Sequence, residues 1–233
     1  GPLTKRDVRQ AIYWAIDPAE LIERSGVEAA PVDQIVPPSV FGYLPERGEA
    51  RPRPEHARRL LRRAGYPNGF DVTLEMPEAF AESVGAPLAE QLRRVGVRPK
   101  VEGLSWPRLA ERLHRRESPF FSVGWSCNGD ASHIFEALLH TRVGESYGAS
   151  NFGDYSNPDL DRVVERASTI LSPGPRAEVL HEAMRIALED LPLIPIYNRK
   201  RTYGVDARVR FVPRLNGQVI LQEISWAGAR PAG

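Results

Sequence analysis

Apolar residues recur with two different periods along this 233-residue chain, and stretches of the two periods alternate. Val8, Ala11, Ile12, Ala15 and Ile16 fall on one face of a 3.6-residue repeat, which predicts an amphipathic helix over residues 5–16. Asp17-Pro18 supplies a cap and a first-turn proline for a second helix that runs to Arg24 and stops near Gly26. Residues 27–53 then lose periodicity and are rich in proline, which predicts a long irregular arm. A third helix is expected from Pro54 to Ala64, closed by Gly65 and a turn at Pro67-Asn68-Gly69. Phe70, Val72, Leu74 and Met76 alternate with polar neighbours, the mark of a half-buried strand. Helical spacing returns at Val84, Leu88, Leu92 and Val95, an extended run covers 97–103, and Pro107 opens another helix.

The central stretch, Phe120–Thr141, begins with strand-like alternation at Phe121 and Val123. It ends with Ile134, Phe135, Leu138 and Leu139 at helical spacing. Between these lies a strand-to-helix crossover, Trp125-Ser126-Cys127-Asn128-Gly129-Asp130. A polar loop at 142–157 precedes helices opening at Asn157-Pro158 and after Pro173-Gly174-Pro175. A buried strand is expected at Leu193–Tyr197, and a hairpin around Asn216-Gly217 between 209–212 and 218–226. The βαβαβα alternation predicts an α/β fold, a mixed sheet covered by helices. Residues 1–226 read as one lobe carrying the arm 27–53, with 227–233 as a disordered tail.

Composition narrows the function. Hydrophobic residues make up 42% and charged residues 26%, as in an ordinary globular protein. No apolar run approaches the roughly 18 residues of a membrane span, and the opening G-P-L-T-K-R-D holds no apolar leader. A single cysteine, Cys127, excludes an internal disulfide framework. The net charge of +1 argues against nucleic acid as a partner, and the arginine run 51–63 reads as a solvated helix face.

The crossover is the strongest candidate for chemistry, because ligands gather at the carboxyl ends of strands in α/β sheets. Trp125 offers an apolar wall, Asn128 a donor and acceptor, and Asp130 an anion, with Ser126, Cys127 and His133 beside them. These six residues are expected to bind a ligand, and Trp125, Asn128 and Asp130 to share one accessible groove. His133 and His140 lie two helical turns apart, too far for joint metal ligation, so no metal is expected. No phosphate-binding or dinucleotide fingerprint appears, so no cofactor is expected either. Gly144-Glu145-Ser146-Tyr147-Gly148 matches the nucleophile-elbow pattern, but the elbow needs a strand before it and a helix after it. Here a helix is expected before it and irregular chain after it, which argues against a serine hydrolase built on Ser146.

Several segments carry a resemblance. V-R-Q-A-I-Y-W-A-I-D at 8–17, A-R-R-L-L-R-R-A-G-Y-P-N-G-F at 57–70, Y-S-N-P-D-L-D at 155–161 and E-D-L-P-L-I-P-I-Y at 189–197 are similar, in order, to segments of the family 5 extracytoplasmic solute-binding proteins. The Trp125 stretch resembles that family's tryptophan segment. The resemblance implies the carboxyl-terminal lobe of a two-lobe, periplasmic-binding-protein-like fold, without the amino-terminal half. It implies capture of a peptide-like or other small solute in an inter-lobe cleft. Delivery would be to the membrane subunits of an ABC importer, in a periplasmic or extracytoplasmic location, with no chemistry performed. In many members an acid three residues after the tryptophan holds the ligand's amino group. Here that position is Asn128, and an acid comes only at Asp130. Either Asp130 takes over the ammonium, or the solute is not a free-ended peptide. A rival reading makes the same lobe the sensor of a transcriptional regulator.

Overall fold

The computed structural model describes residues 1–46 and 51–227. Residues 47–50 of the arm and 228–233, which hold nearly all of the expected tail, lie outside the described residues.

Helix α1 (Arg6–Ala15) buries Val8, Ala11 and Ile12, and helix α3 (Pro54–Arg63) lays Ala57, Leu60 and Leu61 against it. An Arg63–Asp7 fork ties their exposed rims at 2.5 and 2.7 Å. Between them, α2 (Pro18–Ser25) begins where the Asp17 carboxylate accepts from the backbone N–H groups of Ala19 (2.9 Å) and Glu20 (3.1 Å). It ends where Gly26 turns left-handed at φ 66°. Removing that cap in Asp17→Ala is expected to cost about 1 kcal/mol. A thermal melt reads this as a drop in Tm, and an unchanged Tm would show the cap to be idle.

Strand β1 (Ala29–Pro31) opens the arm. Strands β2 (Phe70–Pro77) and β3 (Val97–Leu104) form a parallel ladder running from Phe70 opposite Val97 to Pro77 opposite Leu104. The crossover between β2 and β3 passes through one turn at Glu78–Phe80, a wide π-type turn at Ala81–Gly85, and α4 (Ala86–Arg93). The ladder starts tightly: a Cβ on Gly69, whose φ is 72°, would lie 1.8 Å from the Gly96 carbonyl oxygen. On the other side of β2, the Glu75 N–H donates to Phe120 O (3.0 Å) and the Ser122 N–H to Glu75 O (2.9 Å). A third parallel segment therefore lies beside β2 at Phe121. Helix α5 (Trp106–His114) follows β3 directly and buries Leu109 and Leu113 against Leu104, Phe121 and Phe152.

A second core lies under α6 (Pro158–Thr169) and α7 (Pro173–Asp190). The arm is irregular but built into this core: Val36, Val40 and Leu44 are buried. The Gln34 side-chain amide exchanges two hydrogen bonds of 2.9 Å with the Leu44 backbone. Phe41 pairs with the central crossover, its N–H donating to Gly129 O (3.0 Å) and its carbonyl accepting from Ala131 N–H (2.9 Å).

The mixed sheet is present as three two-stranded ladders, one parallel and two antiparallel, among the described residues. Four expected elements are altered. The strand at 121–123 shrinks to the single bridge at Phe121. The helix after the crossover is one turn at Ser132–Ile134 followed by a π-type turn at Phe135–Leu139. The strand expected at Leu193–Tyr197 begins only at Tyr197: Pro192 and Pro195 lack the N–H a ladder needs, so β4 is Tyr197–Arg199, antiparallel to β1. The hairpin keeps its turn, with Gly217 at φ 73°, but only β5 (Val209–Arg210) and β6 (Ser225–Trp226) pair. No core lies beneath it: Val205, Val212, Leu215, Val219, Leu221 and Trp226 are all exposed, and no residue from 200 to 227 is buried.

The arginine run is a charged helix face only on α3, where Arg58 pairs with Glu55 and donates to Arg94 O at 2.6 Å and Arg63 holds Asp7. Arg51, ahead of the helix, is instead half-buried, donating to Val32 O (2.7 Å) and Pro195 O (3.0 Å).

Candidate functional site

Three parallel segments end at one edge of the small sheet: β2 at Pro77, β3 at Leu104, and the Phe121 segment running toward Trp125. Two of the three are followed by an exposed tryptophan. Trp106, the first residue of α5, is 59% exposed, and Trp125 is 43% exposed. Large aromatic rings left in water at strand ends are candidate ligand walls, since such rings ordinarily sit mostly buried. The sequence reading missed Trp106. The signal was there: a strand passes directly into a helix at Ser105-Trp106-Pro107, the same crossover arrangement that drew attention to Trp125.

The loop after Trp125 is held by the arm and by α7. Asp130 does two jobs already. Its carboxylate accepts from the Ser132 backbone N–H at 2.9 Å, and it takes a fork from Arg176 at 2.5 and 3.3 Å. Arg176 also reaches Ser132 Oγ at 3.1 Å and stands 5.5 Å from the centre of the Phe41 ring. Burial pushes the Asp130 carboxyl up, but the bonds from Arg176 and Ser132 outweigh it and hold it below the usual range. With its charge neutralised internally, Asp130 has little left for a ligand ammonium. Asn128 and Ser126 are exposed, and Cys127 donates its thiol to Asp130 O at 3.2 Å. The His133 ring lies 6.3 Å from that of Trp125 at 30° between planes, and its Nδ1 is buried without a hydrogen-bond partner among the described residues. One turn on, burial pushes the half-buried Glu136 carboxyl up, with Arg176 pulling the other way.

The other candidates have structural placements. His140 is buried, its Nδ1 lying 2.6 Å from Thr141 O, its Nε2 3.1 Å from Glu165, and its ring stacked on Tyr147 at 4.2 Å. Ser146 sits in a tight turn closed by the Val143–Tyr147 bridge, with no strand leading in and no helix leading out. The nitrogens of its nearest histidine in the chain are turned to Thr141 and Glu165. Among the described residues no group of three or more His, Cys, Asp and Glu gathers as a metal site, and no helix is long and apolar enough to cross a membrane.

Glu75 anchors the sheet edge from beneath. It is buried in β2 and takes hydrogen bonds from Arg112 of α5 at 2.7, 3.0 and 3.2 Å, with a further bond from the Ser118 hydroxyl. These bonds hold its carboxyl below the usual range against the upward push of burial.

Residues 1–145 match the family model described as "Bacterial extracellular solute-binding proteins, family 5 Middle". Heme-binding protein A of Haemophilus influenzae is 28% identical over 211 residues, which is 84% of this chain and 37% of that protein. Di/tripeptide-binding protein 1 of Pseudomonas aeruginosa is 28% identical over 203 residues, again 84% of this chain and 37% of that protein. Among solved structures, HbpA2 from Haemophilus parasuis superposes with a TM-score of 0.80 at 23% identity, covering 97% of this chain and 46% of that one. The periplasmic binding protein DppA from Helicobacter pylori, in complex with the peptide STSA, gives 0.77 at 22% identity, covering 84% and 38%. The chain thus spans less than half the length of each of these proteins.

Proposed function

The chain belongs to the bacterial extracellular solute-binding proteins of family 5, and from that premise we propose that it is one lobe of a solute receptor for an ABC importer. Its task is to hold one side of a peptide-like or other small solute and to present the closed complex to the importer's membrane subunits, in the periplasm or another extracytoplasmic compartment. No covalent step belongs to this role. The observation that carries the reading is the pair of exposed tryptophans after the two strand ends that flank β2, on a chain whose relatives bear the names of binding proteins. Trp125, Ser126, Cys127, Asn128 and His133 belong to the same face, while Asp130 supports it by fixing the loop to α7.

Substituting either tryptophan tests this. Trp125→Ala and Trp106→Ala should each weaken solute binding by roughly tenfold, the equivalent of about 1.4 kcal/mol of lost contact. Trp106 is mostly in water and Trp125 a little under half exposed, so Trp106→Ala should leave the thermal midpoint nearly unchanged and Trp125→Ala should lower it only slightly. Titration calorimetry against a mixed short-peptide library would show it. Undiminished binding in both variants would place the solute elsewhere.

A further inference from the structure

The stretch that carries Trp125 has little backbone support of its own. Residues 123–128 form no backbone-to-backbone hydrogen bond among the described residues, and the segment before them pairs with β2 only at Phe121. Cys127 reaches no further than the Asp130 carbonyl of the same loop. A stretch without a ladder is placed by its buried side chains. Here these are Phe121 and Val123, which enter the small core under α5. Leu104, Leu109 and Leu113 form the floor of that core, and Phe121, Val123 and Phe152 pack on them. All of these but Phe152 come from β3, α5 or the segment itself. Phe152 comes from the polar loop 142–157. Its ring meets that of Phe121 edge-on, at 6.3 Å and 69°, and that of His114 at the end of α5, at 5.2 Å and 59°. Such tilted ring pairs add directional contact to the apolar burial.

The loop delivers Phe152 on fixed anchors. The Gly148 N–H donates to Glu136 O (2.7 Å) and the Ser150 N–H to Ala137 O (2.9 Å). Gly148, at φ 66°, lies so close that a Cβ on it would stand 2.6 Å from His140 O. Asn151 is buried and donates its side-chain N–H groups to His140 O (3.0 Å) and Tyr155 O (2.7 Å), and its Oδ1 accepts from the Tyr155 N–H (3.1 Å). His140 follows Leu139, a member of the second core. On the other flank, Asp154 pairs at 2.9 Å with Arg116, two residues past the end of α5. Phe152 is therefore set between a neighbour locked to the second core and a neighbour tied to α5.

We infer that Phe152 is a positioning residue for the solute-binding face: it wedges the Phe121–Trp125 stretch against α5 and so sets where the Trp125 ring stands. Phe152 acts through its neighbours and makes no contact with solute. The bearing on binding rests on the reading of Trp125 as a solute wall; the placement of the ring does not. A binding side chain works only when the packing behind it fixes its position, and here that packing is borrowed from a loop of the second core.

The test uses the 233-residue chain, whose tryptophans Trp14, Trp106, Trp125 and Trp226 each give an indole N–H signal in NMR. Spectra are taken well below the thermal midpoint of each protein. Without peptide, Phe152→Ala should move and broaden the Trp125 signal. The Trp14 signal, from a ring packed on the first core and against His56, should stay in place. Phe152→Leu refills most of the space without the ring and should return the Trp125 signal most of the way. Tri-alanine is then titrated against all three proteins. Phe152→Ala should bind it roughly fivefold more weakly than the parent, and Phe152→Leu within about twofold of the parent. A Trp14 signal displaced as far as that of Trp125 means general loosening and overturns the assignment. So does an unmoved Trp125 signal in Phe152→Ala, or an equal displacement in Phe152→Leu, which reports only the lost ring. Undiminished affinity beside a displaced Trp125 signal overturns it as well. A Trp125 signal that moves as expected in the variants but ignores tri-alanine in the parent upholds the placement and overturns Trp125 as a peptide wall.

Discussion

Arg112→Met should destabilise the folded chain by about 3 kcal/mol at neutral pH, the largest single-site loss of stability expected here. The reason is the asymmetry of the Arg112–Glu75 pair. The Arg112 side chain is 31% exposed and keeps Glu117 as a second partner, but that of Glu75 is 4% exposed, in the middle of the central strand. Taking away the guanidinium leaves a buried carboxylate with only the Ser118 hydroxyl to satisfy it. The pH dependence separates this from simple loss of packing. In the parent, Arg112 holds the Glu75 carboxyl below its ordinary value, so its contribution is full above the unfolded-state pKa, about 4.3, and fades as pH falls through the folded value. In the variant the largest downward pull is gone and only the Ser118 hydroxyl and the Arg108 charge still oppose burial, so the folded pKa moves up. The penalty is then greatest at high pH and is relieved as pH falls through the raised value. Denaturant unfolding at neutral pH and near pH 4 should therefore show the two proteins converging on acidification. A gap that stays constant with pH would assign the loss to packing alone. The double variant Glu75→Leu, Arg112→Met should recover most of the loss, since no charge is then left buried.

How much of this could be read from the chain follows a physical line. Elements with their own capping and periodicity were legible to within a residue or two: α1, α2 behind Asp17, α3 closed at Gly65, and β2 with its alternation. Elements defined by partners distant in sequence were not. The expected strand at 121–123 had the right residues, but it makes only one bridge to β2. The π-type turns at Ala81–Gly85 and Phe135–Leu139 leave no mark in a 3.6-residue pattern, since their apolar residues still fall inward. The same holds at the site. Trp125 was visible because it adjoins an Asn-Gly turn; that Asp130 is committed to Arg176, 46 positions later, could not be seen from spacing. Nor could spacing show that β3 and the Phe121 segment flank β2, so that Trp106 and Trp125 follow the strand ends on either side of it.

The largest effect on binding should come from what surrounds the lobe. This chain alone is expected to bind its solute roughly a hundredfold more weakly than the same sequence carried in a protein of its relatives' length, a difference of about 2.7 kcal/mol. Small-molecule sites gain affinity by enclosing most of the ligand, and the strand-end face is open, with Trp106 and Trp125 in water. The segment 200–227 points the same way. It contributes nothing to any core of this lobe and leaves Val212, Leu215 and Leu221 exposed, yet HbpA2, a chain about twice as long, superposes on 97% of this one. We expect such a segment to gain its packing only in a longer protein of the relatives' length. Ending the chain at Lys200 should then leave the thermal midpoint nearly unchanged while reducing self-association in sedimentation, because the exposed apolar side chains are the sticky surface. A fall in the midpoint of several degrees would instead make 200–227 a working part of this lobe. Calorimetry with one solute on both lengths decides the binding question. Equal affinities would mean that the two tryptophans and their neighbours form a complete site without a second lobe, and that closure adds nothing to capture.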